Sequence, residues 1–375
     1  MVEWKKLGEL STVQRGKRLT KKLLSENEVY PVYHGGIEPL GYFKEFNRLE
    51  NTVMVINVGA SAGSVGFSNQ KFWSSDGCFC ISHNKFINNK YLYFFLLGKE
   101  HYLRSQVRYA GIPTLDSSAI EKIQIPIPPL SEQNRIVGIL DTFTESIENL
   151  KKQISERKKQ YAYLIDKAFG GSLAEMKKKA EVGIIRIETL SSHGTFTRGR
   201  RFVRTDIIDN GQPCIHYGDM YTYYGLCADK AKTHLPYDFP KKMRYAKKGD
   251  VVIVAAGENN EDIGVGLVWQ GEDPAAVHDA CFIYESDFEP MFLSYFLRSS
   301  IYHLQIKSNV VRGKICSISS DGIGKALIPI YPIDKQKEIV ENLYPYEKLF
   351  VNLQAQLELR QKQYEYYRNK LLTFD

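Results

Sequence analysis

The sequence contains no Cys-x-x-Cys pair and no run of 18 apolar residues. The missing cysteine pairs argue against a zinc site, so we expect reduced, structural thiols and no bound metal. The missing apolar run excludes an ordinary transmembrane helix. Residues 1–6 do not resemble a signal peptide, and we therefore expect a cytoplasmic protein without a membrane partner. The six cysteines are Cys78, Cys80, Cys214, Cys227, Cys281 and Cys316.

Catalytic and cofactor motifs are also missing. There is no His-Glu-x-x-His sequence, no Ser-His-Asp arrangement and no paired-carboxylate motif. The Asn/Asp-Pro-Pro-Tyr/Phe tetrapeptide, with which amino-methylating enzymes hold a flipped base, is absent as well. The small-residue loop 59–66 lacks the Lys-Ser/Thr of a P-loop, and a later loop, 257–264, is acidic. We expect no catalytic residue and no cofactor in this chain, and both loops are interpreted as turns, either plain or close to DNA.

The composition permits several domains and favours a polyanionic partner. The chain has 375 residues, enough for two or three domains, and 43% of them are hydrophobic. Fifty Lys and Arg against 43 Asp and Glu give a net charge of +7. Many ordinary enzymes are equally basic, so the charge favours nucleic acid without requiring it.

Residues 130–169 predict one long helix with a coiled-coil seam. Prolines precede it, Ser131 is a suitable N-cap, and about 40 residues give a length of about 60 Å. The helix is too charged to span a membrane, so its seam needs a partner. Apolar residues spaced by four and three form the seam at Ile136, Leu140, Phe143, Ile147, Leu150, Ile154, Tyr161 and Leu164.

A second copy of this helix follows at a constant offset of 203 residues (339 − 136 and 364 − 161). Residues 328–336 repeat the proline-containing junction of residues 125–133. We interpret the two helices as halves of one intramolecular coiled coil. The second seam comprises Ile339, Leu343, Phe350, Leu353, Leu357, Tyr364, Tyr367 and Leu371.

The segments before each long helix also repeat. Residues 31–36 match 213–218, and residues 76–79 match 279–282, whereas the stretches between them differ. The sequence predicts an α+β fold in which two homologous β-rich domains carry different surfaces. The predicted boundaries are a first domain at 1–130, a long helix at 131–170, a linker at 171–182, a second domain at 183–333 and a second long helix at 334–375.

Basic, polar and aromatic residues cluster at corresponding places of both domains, beside turns. Each cluster alone fits a solvated surface, and each of the two repeated histidines alone more often packs or caps. Together they favour double-stranded DNA, because Arg reads guanine edges and grips phosphates, while Asn and Gln read adenine. The candidate DNA-binding residues are Arg15, Lys17, Arg18, Lys21, His34, Ser61, Ser64, Arg104, Arg108, Tyr109, Arg198, Arg200, Arg201, Arg204, His216, Tyr217, Asn259, Asn260, Lys307, Arg312 and Lys314.

The chain resembles the specificity subunits of type I restriction–modification systems over essentially its whole length. The most specific parts are the doubled junction at 125–133 and 328–336, the long helix after each, and the sequence Gly-Ile-Pro-Thr-Leu at 111–115. The second copy departs at 311–315, where Val-Arg-Gly-Lys-Ile stands, and at Tyr331 and Asp334. These departures leave the framework intact and mark the second half as the more diverged.

This resemblance implies a non-catalytic subunit with two target-recognition domains, each reading one half of a bipartite DNA site. It implies that the helices pack antiparallel, set the gap between the half-sites and dock methyltransferase subunits, with two expected. Those partners would bind S-adenosylmethionine, and a restriction subunit that uses ATP can join them. The alternative is a coiled-coil protein–protein adaptor with two β-rich ligand-binding domains, which predicts weak, salt-insensitive DNA association.

Overall fold

A computed structural model describes residues 2–239 and 242–374. The chain divides into two compact units. The first unit is Met1–Lys152 together with Gln354–Asp375, and the second unit is Gln153–Leu353. Each unit therefore contains one part of each long helix, so the boundaries between units fall inside the helices and not at their ends.

The first unit is built from short strands and helices that precede the first long helix. One sheet has the strand order β2-β8-β5-β6, another has β4-β3-β7, and β1 pairs antiparallel with β9. The elements are β1 (Glu3–Lys6), α1 (Leu7–Leu10), β2 (Val13–Arg15), β3 (Tyr30–Tyr33), β4 (Gly41–Phe43), β5 (Thr52–Ile56), β6 (Val65–Ser68), β7 (Trp73–Ser74), β8 (Cys78–Ile81), α2 (Asn89–Leu97), α3 (Glu100–Ser105), α4 (Ser117–Glu121) and β9 (Gln124–Ile127), followed by α5 (Leu130–Ala168) and α6 (Leu173–Glu181).

The second unit follows the same plan with additional strands. Its sheets have the orders β11-β20-β16-β18-β13 and β14-β12-β19-β15, and the pairs β10-β22 and β17-β21 stand apart. The elements are β10 (Arg186–Thr189), β11 (Gly194–Arg198), β12 (Gln212–Ile215), α7 (Asp219–Thr222), β13 (Cys227–Ala228), β14 (Thr233–Leu235), β15 (Tyr245–Ala246), β16 (Val251–Val254), β17 (Ala256–Gly257), β18 (Gly266–Trp269), β19 (Ala275–Val277), β20 (Cys281–Ser286), α8 (Pro290–Phe296), α9 (Ser300–Ile306), β21 (Cys316–Ser317), α10 (Ser320–Gly324), β22 (Leu327–Ile330) and α11 (Ile333–Leu372).

The two sheet systems correspond strand by strand. The order β2-β8-β5-β6 is repeated as β11-β20-β16-β18, and β4-β3-β7 is repeated as β14-β12-β19. The central strands are buried along their whole length, in β5 as in β16, because β-branched and other apolar side chains fill both faces. The predicted α+β fold with two homologous β-rich parts is confirmed.

Both long helices begin at a proline-containing junction and pack their first turns into a sheet domain. Helix α5 begins at Leu130, and the carbonyl of Pro129 accepts hydrogen bonds from the amides of Glu132 (2.9 Å) and Gln133 (3.1 Å). The predicted N-cap at Ser131 is therefore wrong, since this residue already lies in the first turn. Ile136 and Leu140 join the core of the first unit, and the equivalent residues of α11, Ile339 and Leu343, join the core of the second.

A buried glutamine locks each of these helix starts to its domain. In the first unit the Nε2 of Gln133 donates to the carbonyls of Phe86 (3.0 Å) and Pro128 (2.9 Å), and its Oε1 accepts from the amide of Asn88 (2.8 Å). In the second unit Gln336 Nε2 donates to a backbone carbonyl at 2.8 Å and its Oε1 accepts from a backbone amide at 2.8 Å. The two residues are again 203 apart (336 − 133), which explains why the junction ends in Gln in both copies.

Replacing Gln133 by Leu is expected to destabilise the first unit, because it leaves the buried carbonyl of Pro128, the carbonyl of Phe86 and the amide of Asn88 without their partner. Each unsatisfied buried group costs about 1–3 kcal/mol. We expect a lower urea midpoint, measured by tryptophan fluorescence. The exposed Gln153 is a matched control, and Gln153→Leu should leave the midpoint unchanged. Equal midpoints for the two variants would contradict the locking role.

The long helices run in opposite directions. In the first unit the start of α5 meets the end of α11, since the rings of Phe143 and Tyr367 stack with centroids 5.4 Å apart. In the second unit the end of α5 meets the start of α11, where Tyr331 Oη donates to the carbonyl of Ala168 at 3.4 Å. Burial, and then the adjacent carboxylate of Glu347, raise the pKa of Tyr161 in this contact. The pairing is thus antiparallel, in agreement with what the family resemblance implies.

The segment 171–182, interpreted from sequence as a linker, contains helix α6. Ser172 and Glu175 form a capping box at its start, and Met176 is fully buried in the core of the second unit. Before it, Gly170 and Gly171 adopt φ values of 109° and 100°, a conformation that favours glycine, and they end α5.

The six cysteines are free thiols, and Cys227 is the one with intermediate burial.

Candidate nucleic-acid interface

In the first unit an anchored arginine stands at the end of strand β2. Arg15 is exposed, and its Nε donates to the carbonyl of Asp76 at 3.1 Å. A Cβ atom on the next residue, Gly16, would lie 2.0 Å from the carbonyl oxygen of Ser75, so only glycine fits there. These contacts position the guanidinium at the surface.

The second unit repeats this arrangement at the end of β11. The Nε of Arg198 donates to the carbonyl of Asp279 at 2.8 Å, and a Cβ on Gly199 would lie 2.2 Å from the carbonyl oxygen of His278. The Arg15-Gly16 and Arg198-Gly199 pairs therefore share the same hydrogen bond and the same close approach to a carbonyl.

A cleft of about 430 Å³ lies beside Arg15. One wall is a hairpin in which Arg108 and Thr114 exchange backbone hydrogen bonds of 2.8 and 3.0 Å. Arg108 also pairs with Asp116 (3.6 Å), a carboxylate that caps α4 through the amide of Ser118, and this bond lowers the pKa of Asp116. The cleft thus offers two guanidinium groups and a carboxylate. Its lining residues are Val13, Arg15, Asn57, Phe79, Arg108, Thr114, Leu115, Asp116 and Ser117.

The second unit has a cleft of the same volume, about 430 Å³, at a different place in its fold, beside His216, Asp279 and Ala280. A neighbouring cleft of about 510 Å³ shares Arg204, His216, Tyr217 and Glu258 with it. The combined lining carries positive, negative and aromatic groups. The first of the two clefts is lined by Arg201, Phe202, Val203, Arg204, His216, Tyr217, Ala256, Gly257, Glu258, His278, Asp279, Ala280 and Ile315.

Aromatic rings form the floor of this second cleft. The ring centroid of His216 lies 4.5 Å from that of Tyr217 and 4.8 Å from that of His278. Burial, and then the adjacent His278, lower the pKa of His216 to about 4, against the opposing effect of Asp219. Burial also lowers the pKa of His278. Both imidazoles are therefore neutral at pH 7, and they act as hydrogen-bonding rings and not as charges.

Comparison with known proteins finds one matching family model and several similar proteins. The family described as "Type I restriction modification DNA specificity domain" matches residues 1–157. The type I restriction enzyme MjaVIII specificity subunit of Methanocaldococcus jannaschii is 27% identical over 88% of this chain and 80% of its own length. A putative type I restriction enzyme specificity subunit of Haemophilus influenzae is 26% identical over 100% of this chain and 96% of its own.

The chain is therefore similar to type I restriction–modification specificity subunits, through the matching domain in its first 157 residues and through these relatives over most of its length. Its fold agrees with a crystal structure of the type I S subunit from M. genitalium, with a TM-score of 0.66 at 17% identity, covering 100% of this chain and 97% of that one. A structure describing complex assembly of a type I system gives a TM-score of 0.56 at 16% identity, with 100% and 98% covered. The M. jannaschii and H. influenzae relatives are both named as type I specificity subunits.

The clefts of this chain bring together some of the residues predicted to bind DNA. Arg15 and Arg108 share the first cleft, and Arg201, Arg204, His216 and Tyr217 share the second. Asn260 and Lys307 line a separate cleft of about 440 Å³. The remaining exposed candidates lie outside these linings: Lys17, Arg18, Lys21, His34, Arg104, Tyr109, Arg198, Arg200, Asn259, Arg312 and Lys314.

Two serines of the loop 59–66, which the sequence suggested as DNA-binding residues, are less exposed than residues of an open turn. Ser64 is buried, and its hydroxyl accepts a hydrogen bond of 2.8 Å from a terminal nitrogen of Arg104. Ser61 is half-buried, and its carbonyl accepts from the Ser64 amide. Ser64 therefore positions the Arg104 side chain, while Arg104 itself remains exposed.

Sequence reasoning missed several residues that line the clefts, among them Asn57, Asp116, Glu258 and His278. A sequence signal for His278 was present. Asp76 and Asp279 lie two residues before the repeated strands β8 and β20, and His278 directly precedes Asp279. Asn57 and Glu258 had no such signal, since the loops that follow β5 and β16 differ between the copies.

No helix within residues 2–239 and 242–374 is long and apolar enough to cross a membrane. Over the same described residues, no three His, Cys, Asp or Glu side chains are grouped so that they could hold a metal ion.

Proposed function

We propose that this chain is a non-catalytic specificity subunit of a type I restriction–modification system and recognises double-stranded DNA, with each unit reading one half of a bipartite site. The observation that carries the proposal is the repeated anchored arginine, Arg15 or Arg198, whose Nε donates to the carbonyl of the equivalent aspartate, Asp76 or Asp279, in its unit. Anchored guanidinium groups suit guanine edges and phosphates, while the differing cleft linings suit different half-sequences.

The long helices serve as the spacer between the two half-sites and as the docking surface for two methyltransferase subunits. Helix α5 has 39 residues, a length of about 58 Å at 1.5 Å per residue. S-adenosylmethionine is bound by the methyltransferase subunits and ATP by a restriction subunit that can join them. This chain contributes recognition and assembly.

A genome-wide map of modified bases tests the proposal. Cells that express this chain with its methyltransferase partner are compared with cells that lack this chain. A bipartite motif with a fixed gap, present only with the chain, is the expected result. Unchanged modification despite an assembled complex would overturn the recognition role, and failure of the two proteins to associate would favour the coiled-coil adaptor.

Replacing Arg198, Arg200 and Arg201 together by Ala is expected to weaken DNA binding and to reduce its dependence on salt. Each lost phosphate contact lowers the slope of log K against log salt by about 0.9. Fluorescence anisotropy titrations of the complex at several salt concentrations measure both effects.

A triple variant with the same loss of charge serves as the control. Lys151, Lys158 and Lys159 are exposed on α5, away from the clefts, and their replacement by Ala should leave the salt slope nearly unchanged. Equal slopes in the two triple variants would show that net charge, and not the specific position of Arg198, Arg200 and Arg201, governs the affinity.

A further inference from the structure

The repeated histidines His34 and His216 each accept a backbone hydrogen bond at Nδ1, although from amides at different places in the two units. The Nδ1 of His34 accepts a hydrogen bond from the amide of Gly77, and the Nδ1 of His216 accepts one from the amide of Gly218, both at 3.2 Å. A neutral imidazole that accepts at Nδ1 carries its hydrogen on Nε2. The backbone therefore selects one tautomer and leaves an N–H donor on the far side of the ring.

His216 is the better defined of the two. His34 is exposed, and the carboxylate of Asp76 lies 3.4 Å from its Nδ1. His216 is 7% exposed and packs between Phe202, Tyr217 and His278, with ring centroids 6.0, 4.5 and 4.8 Å away. Its ring cannot turn without displacing this cluster, so the direction of the Nε2–H is fixed as well as its position.

Both ring nitrogens of the neighbouring His278 have hydrogen-bond partners, whereas only one ring nitrogen of His216 does. His278 accepts from the amide of Ala280 at Nδ1 (3.1 Å), and its Nε2 lies 3.0 Å from the carbonyl of Phe202. The Nε2 of His216 has no hydrogen-bond partner in the part of the chain that the structure describes. His216 lines both second-unit clefts, so this nine-tenths buried donor faces space that a ligand can enter.

The charge around this donor limits what it can bind. The imidazole is neutral at pH 7, because burial and the nearby His278 and Arg204 outweigh Asp219. A neutral N–H donor fixed in a cleft seeks an acceptor. In the major groove guanine offers N7 and O6, adenine N7 and thymine O4, whereas the edge of cytosine offers an amino donor.

We propose that His216 determines one base of the second half-site by donating its Nε2–H to an acceptor on that base edge, which excludes cytosine at the contacted position. Tyr217 holds the ring in place, and Arg204 flanks the donor in both clefts. This assignment rests on the proposed function, namely that the second unit binds DNA.

Two substitutions separate base reading from packing. His216→Phe keeps an aromatic ring in the cluster and removes the donor, whereas His216→Gln places an amide donor near the position of Nε2. The full-length chain in complex with its methyltransferase partner is titrated with duplexes that carry the mapped site or one base-pair change at each position. Fluorescence anisotropy competition then gives a base preference at every position.

His216→Phe is expected to reduce the preference at one base pair of one half-site by about tenfold, the effect of losing one hydrogen bond. The other half-site and the gap should keep their preferences, and His216→Gln should restore part of the lost preference. Undiminished preference at every position in His216→Phe would overturn the proposal. An equal loss at all positions of the half-site would overturn it too, because that pattern belongs to a packing role.

Titration of the wild-type complex distinguishes a failure of the His216 assignment from a failure of the proposed function on which it rests. Absence of any bipartite preference in the wild-type titration refutes DNA recognition by this chain, before any variant is considered. A bipartite preference that His216→Phe leaves intact refutes only the assignment of His216.

Discussion

Duplicating residues 146–152 in α5 together with residues 347–353 in α11 is expected to lengthen the gap in the recognised DNA site by about two to four base pairs. Seven residues restore the heptad phase of the seam and add about 10 Å of helix, which corresponds to about three base pairs at 3.4 Å each. The insertions fall at the boundary between units in both helices, after Lys152 and after Leu353. Both half-sequences should stay the same, because the clefts are untouched.

The control for this change is either duplication made alone. One lengthened helix shifts the seam of α5 against that of α11 beyond the insertion, so contacts such as Phe143 with Tyr367 cannot form together with those of Tyr161 and Glu347. We expect loss of methylation from the single duplications. The readout is the map of modified bases, and an unaltered gap in an active double duplication would rule out the spacer role.

Placing charges on the outward apolar residues of α11 is expected to remove methyltransferase subunits from the complex. Leu359 and Tyr366 in the first unit are each 59% exposed, and Tyr344 and Val351 in the second are 52% and 53% exposed. Apolar residues repeated on the open side of a helix are costly unless a partner covers them. Leu359→Asp with Tyr366→Asp should lower the stoichiometry from two methyltransferase subunits to one, and adding Tyr344→Asp with Val351→Asp should remove both.

Light scattering after size-exclusion chromatography measures this stoichiometry. A matched control places Asp at Gln354 and Gln361, which are exposed on the same helix and also seven residues apart. The control complex should retain two methyltransferase subunits. Full assembly of the Leu359 and Tyr366 variant would mean that the docking surface lies elsewhere on the chain.

The internal repeat of the chain was predictable from sequence, because equivalent residues of the two halves have a constant spacing. A shared offset of 203 residues connects Ile136 with Ile339 and Gln133 with Gln336, and the structure places these pairs at equivalent points of two cores. The seam period and the prolines of the junctions are local properties, so they predicted both long helices and the residues at which they begin within one or two positions. The exposed arginines at the ends of β2 and β11 were predictable for the same reason.

The surroundings of each candidate side chain depended on contacts between distant parts of the chain. Ser64 looked like part of an open loop, but it is buried beneath Arg104, and the charged segment 171–182 folds into α6 because Met176 fits the core of the second unit. The free Nε2 of His216 arises from the amide of Gly218 and from rings that lie about 60 residues further along.

The sequence by itself thus determined the repeat, the helical seams and the types of side chain available for recognition, because these follow from periodicity and local conformation. Only the tertiary structure decided the direction of helix pairing, the division into units inside the helices and the composition of each cleft. Burial and hydrogen-bond saturation depend on residues far apart in the chain, and no local pattern encodes which of them meet.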